Sequence, residues 1–493
     1  MMCGCNQWIE AVATGFLDQV VEDLILSQPS QGDLGCSSEE EPHSASGRLI
    51  FHRGELDAPS ESLGIPVGER RRASIGRLAK KVRKLTKSSS FNNKVFVNKN
   101  YAPEPPGAWP IIGHLPLLVS AKQPHRAFAA LAEKYGPAFM VRMGMSSPML
   151  IVSSREVAKE CYTAKDHVFA TRPVTTAGKL MAYDHSVMGF TPFGTYWREI
   201  RKIATVELFS ARRIGMLKPV RQSEVSLWMK GLHEKWVQNG NSSVSVELKT
   251  QLEELTFNLL TQMVAESVTT EAINQGHRHH NQSLGTHPTS RGVDSMANTM
   301  VWVLALLLDN PEMLAKAQIE LDTNVGKDRL VEESDIPNLK YLQALLKETL
   351  RMYPVGPLLV PHEAMEDCHV AGYFVPRGTG LFINAWTIQR DANVWAEPDR
   401  FMPERFLTTN ADMDVKGQSY ELLPFGSGRR SCPGVGLALQ VMHLTLARIL
   451  QAFELKTQSG VGVDLEECSG ILLSMLNPLQ VLVAPRLPSE LFD

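Results

Sequence analysis

Read for the spacing of its apolar positions, the chain changes character near residue 100. Beyond that point apolar residues recur at helical intervals over residues 210–236 and 247–267, with Lys, Glu and Gln between them. Asn310 followed by Pro311 supplies a capping side chain and a first-turn proline, and opens a helix that the spacing carries to Val325. A further helical pattern covers residues 332–353 and stops at Pro354, which has no N–H to continue it, and a last one covers residues 435–453. Residues 138–153 (AFMVRMGMSSPMLIVS) hold two apolar runs around a turn and predict a pair of strands. Shorter strand-like pieces lie near Phe374 and over residues 381–384. The pattern predicts a mainly α fold with a small β part and shows no internal repeat. Residues 102–110 (APEPPGAWP) fix several backbone φ angles and withhold amide donors, so they mark the entrance to a folded domain spanning residues 101–493.

The first hundred residues read as a disordered extension. An acidic, Ser-rich stretch at 37–46 is followed by nine Lys or Arg between Arg70 and Lys87. That basic stretch carries enough charge for contact with an anionic membrane surface or for nuclear targeting, but a charge block of this kind reads first as a solvated tail with no dedicated partner. The most apolar N-terminal window, residues 8–26, is interrupted by Glu10, Asp18, Glu22 and Asp23. It reads as an amphipathic helix rather than a membrane span or a signal peptide. The composition, 43% hydrophobic and 21% charged, is that of a globular protein, and a net charge of -3 supplies no overall positive field for nucleic acid. Seven scattered cysteines make a poor disulfide framework and leave room for one of them to do chemistry.

That cysteine is Cys432. Residues 424–434 (PFGSGRRSCPG) set Phe425, Gly428, Arg430, Cys432 and Gly434 at the spacing F-x-x-G-x-R-x-C-x-G, directly before the last apolar helix. A helix N-terminus favours a thiolate over a thiol. Glycines at 428 and 434 permit backbone conformations and close approaches that other residues avoid. Arg430 offers a fork of donors for a carboxylate, and Phe425 shields the sulfur from water. The segment resembles the cysteine-ligand loop of the cytochromes P-450, a superfamily of haem-thiolate monooxygenases. Three further segments follow in that family's order. Glu348-Thr-Leu-Arg351 resembles its E-x-x-R, residues 401–406 (FMPERF) resemble its P-E-R-F, and Trp197-Arg-Glu-Ile-Arg201 resembles its W-x-x-x-R.

The resemblance implies haem b with Cys432 as the axial ligand, held at its propionates by Trp197, Arg201, His362 and Arg430. It also implies a buried support formed by Glu348, Arg351 and Arg405. It further implies electrons from NADPH through a separate flavoprotein reductase, a small apolar or phenolic substrate, and a place on the cytosolic face of the endoplasmic reticulum, with a cytoplasmic location as the alternative that the lack of a membrane-spanning window leaves open. Details such as residues 197–205 (WREIRKIAT) are most similar to plant microsomal members of specialised metabolism. By the same resemblance, substrate contacts fall within residues 177–187, 355–360 and 471–476.

The pattern breaks on the distal side. Residues 291–296 (RGVDSM) stand where the family carries its oxygen-groove signature; Asp294 and Ser295 retain the acid and the alcohol for proton delivery, while Arg291 is a misfit. Only the polar segment 271–291, read as a loop, separates this helix from the one before it, where the family has several lid helices. The expectation is a cytochrome P-450 fold with a truncated distal helical region; the alternative function is a catalytically inactive haem binder or interaction protein. The histidines of residues 277–280 sit among Gly, Ser, Thr and Pro, and read as loop rather than metal site.

Overall fold

A computed structural model describes residues 100–121, 123–144, 148–275, 290–458, 462–468, 470 and 472–492 of the 493-residue chain. The acidic and basic stretches of the first hundred residues and the histidines of 277–280 lie outside the described residues.

The helices in chain order are α1 (Leu115–Ser120), α2 (Pro124–Tyr135), α3 (Arg155–Tyr162), α4 (Thr176–Met181), α5 (Thr195–Ile203), α6 (Ala211–Met216), α7 (Lys218–Gln238), α8 (Leu248–Gln275), α9 (Ser290–Asp309), α10 (Pro311–Asn324), α11 (Lys340–Met352), α12 (Ala385–Ile388) and α13 (Val435–Ala452). A single π turn, Ala204–Leu208, extends α5. The main sheet joins β1 (Ala138–Arg142), β2 (Pro148–Val152), β7 (Gly380–Ile383) and β4 (His362–Glu363) in that order. β1 and β2 are antiparallel, with Phe139 opposite Ile151, and β2 runs parallel to β7. A second sheet orders β3 (Val244–Glu247), β9 (Gln480–Pro485) and β8 (Phe453–Thr457), while β5 (Cys368–Val370) and β6 (Tyr373–Val375) form a hairpin.

Helix boundaries follow local chemistry. Residues 210–236 do not form one helix: Pro219 begins a new first turn, so α6 stops and α7 starts around Leu217. The helix expected from residue 332 begins only at Lys340, because Pro337 sits in a 3₁₀ turn ahead of it. Its first N–H groups are instead satisfied from outside, with Tyr341 and Leu342 donating to the Glu320 carboxylate at 2.7 and 2.9 Å. The segment expected as loop from 271 is helical as far as Gln275, which suits the helix-forming residues Glu271, Ala272 and Gln275.

The core is organised around α9. From Ala297 to Leu308 every side chain is buried, and from Met300 to Leu308 every one is apolar, so this part of the helix threads the middle of the domain, packed against α8, α11 and α13. Trp302 stacks on Tyr353 at 4.0 Å and donates its indole N–H to the Leu473 carbonyl at 3.1 Å, which ties Leu473 to the core helix. α13 is long and apolar enough to cross a membrane by length and composition. It is two-thirds buried (67%) and acts as the core helix behind the Cys432 loop.

Candidate active site

The loop before α13 is shaped by two left-handed glycines, Gly426 (φ 68°) and Gly428 (φ 67°). At Gly428 an added Cβ would lie 2.3 Å from Asp166 Oδ1, so both the backbone and the space demand glycine. The Ser431 N–H donates to the Gly428 carbonyl at 3.1 Å and the Cys432 N–H to the Phe425 carbonyl at 3.0 Å, which closes the turn. Phe425 packs half-buried against the main core. Gly434 corrects the expectation. It caps α13 with φ −87°, and a Cβ there would meet the Phe209 ring at an ordinary 3.6 Å, so its backbone does not require glycine.

Cys432 keeps solvent access, yet protein crowds it closely enough for desolvation to raise its thiol pKa. The Gly434 N–H and the charge of Arg201 pull the other way, toward thiolate.

Cations gather beside this loop. Arg430 lies over the Trp197 indole at 4.2 Å and donates to the carbonyls of Ala170 (2.6 Å), Met188 (3.3 Å) and Thr191 (2.7 Å). Arg201, one turn beyond the buried Trp197 on α5, donates to the Ser431 carbonyl at 2.7 Å. His362 Nδ1 donates to the Phe169 carbonyl at 2.7 Å. The structure adds Arg172, which sequence reading missed. It is buried and donates to the carbonyls of Gly189 (3.2 Å), Val360 (2.8 Å) and Pro361 (2.9 Å). The available signal was an arginine between the apolar run 168–170 and Pro173.

All these partners are neutral carbonyls, and among the described residues no carboxylate pairs with Arg172, Arg201 or Arg430. Burial, then the neighbouring Arg172 and Arg201, push Arg430 down to about 9, and burial takes Arg172 down to about 10. Burial also lowers Arg201, and burial with the charges of Arg172 and Arg430 holds His362 well below the usual histidine range. Three guanidiniums without a protein counter-charge, grouped beside a cysteine at a helix N-terminus, fit a group with two carboxylates and a thiolate-binding iron. Haem b is such a group.

Behind the loop, Glu348, Arg351 and Arg405 meet in full burial. Arg351 grips Glu348 through two bonds of 2.7 and 2.9 Å, and Arg405 Nε adds a third at 3.1 Å. The Met402 N–H donates to the same carboxylate at 2.9 Å. Asp294 and Ser295 are half-buried in α9, where Asp294 lies close enough to Glu253 on α8 for its charge to help burial raise that carboxyl's pKa. Two of the segments expected to touch substrate are joined directly, the Leu473 N–H donating to the Val355 carbonyl at 2.8 Å, while the Arg172 side chain bridges Val360 to Gly189, two residues past the segment 177–187.

The family profile described as Cytochrome P450 matches residues 103–271 and 289–483. The chain belongs to the cytochrome P450 family. It is 42% identical to a xanthotoxin 5-hydroxylase of Arabidopsis thaliana, over 79% of this chain and 94% of that one. It is 38% identical to a flavonoid-6-hydroxylase of Mentha piperita, over 79% and 93% of the two chains. A solved zebrafish cytochrome P450 with abiraterone superposes with a TM-score of 0.60 at 26% identity, covering 74% of this chain and 99% of that one. The relatives are plant hydroxylases and monooxygenases of specialised metabolism, which makes this P450 a monooxygenase of that type with a haem-iron cofactor. The alignment with the xanthotoxin 5-hydroxylase runs over 493 positions but spans only 79% of this 493-residue chain, about 389 residues. About 104 positions therefore have no counterpart here.

Proposed function

We propose that this P450 inserts one atom of dioxygen into a small apolar or phenolic specialised metabolite, with the other atom reduced to water by NADPH electrons delivered through a flavoprotein reductase. The observation that carries this reading is the solvent-accessible Cys432 beside Arg172, Arg201 and Arg430, three guanidiniums without a protein counter-charge among the described residues. When bound, haem would supply oxygen activation, which a thiolate ligand from Cys432 would promote.

The chain's own residues do the rest. Cys432 ligates iron, and the Gly434 N–H and Arg201 favour its thiolate. Arg172, Arg201, Arg430 and His362, with Trp197 beneath Arg430, hold the propionates. Asp294 and Ser295 hold and pass protons at their carboxylate and hydroxyl oxygens. Glu348, Arg351 and Arg405 keep the proximal side rigid. Residues 177–187, 355–360 and 471–476 orient the substrate, and the names of the relatives, hydroxylases of xanthotoxin and of flavonoid, support its class. The work is done on the cytosolic face of the endoplasmic reticulum, where residues 70–87 add peripheral contact.

The unmatched positions belong between α8 and α9, a reading supported by the break in the family match between residues 271 and 289. A shortened lid leaves the distal face wetter than in the relatives and weakens coupling of electron flow to substrate oxidation. The same shortening supports a second reading, a haem binder without turnover. The test is a reduced, carbon monoxide-bound difference spectrum of the haem-reconstituted protein beside Cys432→Ala, followed by substrate-dependent NADPH consumption with a reductase. A red-shifted Soret band lost in the variant is expected. No haem binding overturns the proposal, and a thiolate band without any turnover leaves the second reading.

A further inference from the structure

We propose that Asp166 is a positioning residue for the axial thiolate, fixing the turn at Gly428 and so the aim of Cys432. The inference rests on the haem-thiolate reading above. Asp166 lies just past α3, a helix capped by the Ser154 hydroxyl and buried through Val157, Ala158, Cys161 and Tyr162. Its Oδ1 accepts the Arg429 N–H at 3.1 Å and its Oδ2 accepts the Arg429 guanidinium at 2.5 Å. The same Oδ1 occupies the space into which a Cβ on Gly428 would point, and the Tyr162 ring closes the other side, 3.3 Å from that position. The left-handed glycine is thus moulded against Asp166 and Tyr162. From there the bonds Ser431 N–H to Gly428 and Arg201 to Ser431 carry the turn to the residue before the ligand.

The ion pair is the smaller part of this clamp. The Arg429 side chain is 46% exposed, whereas that of Asp166 is 15% exposed, and half-exposed pairs contribute little. What holds the turn is the carboxylate on a backbone N–H together with its packing on Gly428. Asparagine keeps that acceptor and alanine does not, so the two variants separate turn from charge.

The experiment compares full-length, haem-reconstituted Asp166→Ala, Asp166→Asn and Arg429→Ala with the unmodified protein at matched far-ultraviolet circular dichroism. It reads the fraction of carbon monoxide-bound haem that lacks the thiolate-type Soret band. Asp166→Ala should raise that fraction about tenfold, the scale of losing a hydrogen bond to a charged group, while Asp166→Asn and Arg429→Ala stay within about twofold. In the haem-free chain, iodoacetamide labelling of the peptide holding Cys432 should accelerate by a similar factor in Asp166→Ala alone, because the loop opens. If Asp166→Ala does not fold, Asp166→Ser replaces it, since its hydroxyl stops short of the Arg429 N–H. An Asp166→Ala spectrum like that of Asp166→Asn, or an Arg429→Ala effect equal to that of Asp166→Ala, overturns the inference. A missing thiolate band in the unmodified protein would instead overturn the haem-thiolate reading.

Discussion

Replacing Glu348 with alanine removes the carboxylate that stands between two buried guanidiniums. Arg351 loses both bonds of its grip and keeps the Gln389 carbonyl at 2.9 Å; Arg405 loses one bond and keeps the carbonyls of Ala396, Glu397 and Arg400. The Met402 N–H loses its acceptor as well. Arg351 and Glu348 have 0% exposed side chains and Arg405 has 3%, so water cannot take over from the missing oxygens. Breaking a buried charge network by deleting one member destabilises by about 3–5 kcal/mol. With a urea m-value of about 3 kcal/mol/M or more, expected for a domain of this size, the midpoint should fall by about 1 M. Glu348→Gln keeps one acceptor but turns an amide donor toward the arginines, and should lie between the two. Arg405→Ala should cost less than Glu348→Ala, because the Glu348–Arg351 grip survives it. A Glu348→Ala midpoint within about 0.2 M of the unmodified protein would refute the view that this network holds the proximal side together.

Three further outcomes follow from the same structure. Burial takes His443 down to about 4, so the folded chain keeps it neutral where the unfolded chain binds a proton. Stability is complete above pH 6.5 and falls as the pH drops from there toward 4. Between pH 6.5 and 5 this loss is about 2 kcal/mol and should vanish in His443→Phe, as read from unfolding midpoints against pH. Gly428→Ala combines a left-handed backbone with a Cβ 2.3 Å from Asp166, and should lower haem retention in transfer to apomyoglobin without altering the Glu348 network. The unpaired arginines of the haem-free protein should make phosphate raise its Tm more than that of the haem-loaded protein, since haem already supplies the anions; equal shifts in both forms would count against the propionate assignment.

The proximal half of this site was legible in the sequence because its chemistry is local in the chain. The Cys432 turn, its glycines and the helix behind it fall within about thirty residues, and Glu348 and Arg351 lie on adjacent turns of one helix. Even there, spacing alone does not tell which glycine is needed for its backbone. Gly428 and Gly434 look alike in the motif, and only the φ angles and the presence of Asp166 at 2.3 Å separate them. Asp166 and Arg172 escaped for a different reason. Their partners lie 263 and 188 residues away, at Arg429 and Val360, and nothing in the period of apolar residues reports a carboxylate set against a distant backbone N–H.

Helix limits failed in the same physical sense. A carboxylate from α10 caps α11 in place of a local capping residue, so the signal for where that helix begins sits twenty residues upstream, at Glu320. α8 and α9 pack directly together, and Asp294 shares its surroundings with Glu253 of α8. The proton-relay role proposed for Asp294 therefore depends on how its charge is divided between that neighbour and the oxygen-binding face. Glu253→Gln is the variant that shifts the division: by removing the like charge it should leave the thiolate-type spectrum untouched and change only the coupling of NADPH consumption to product.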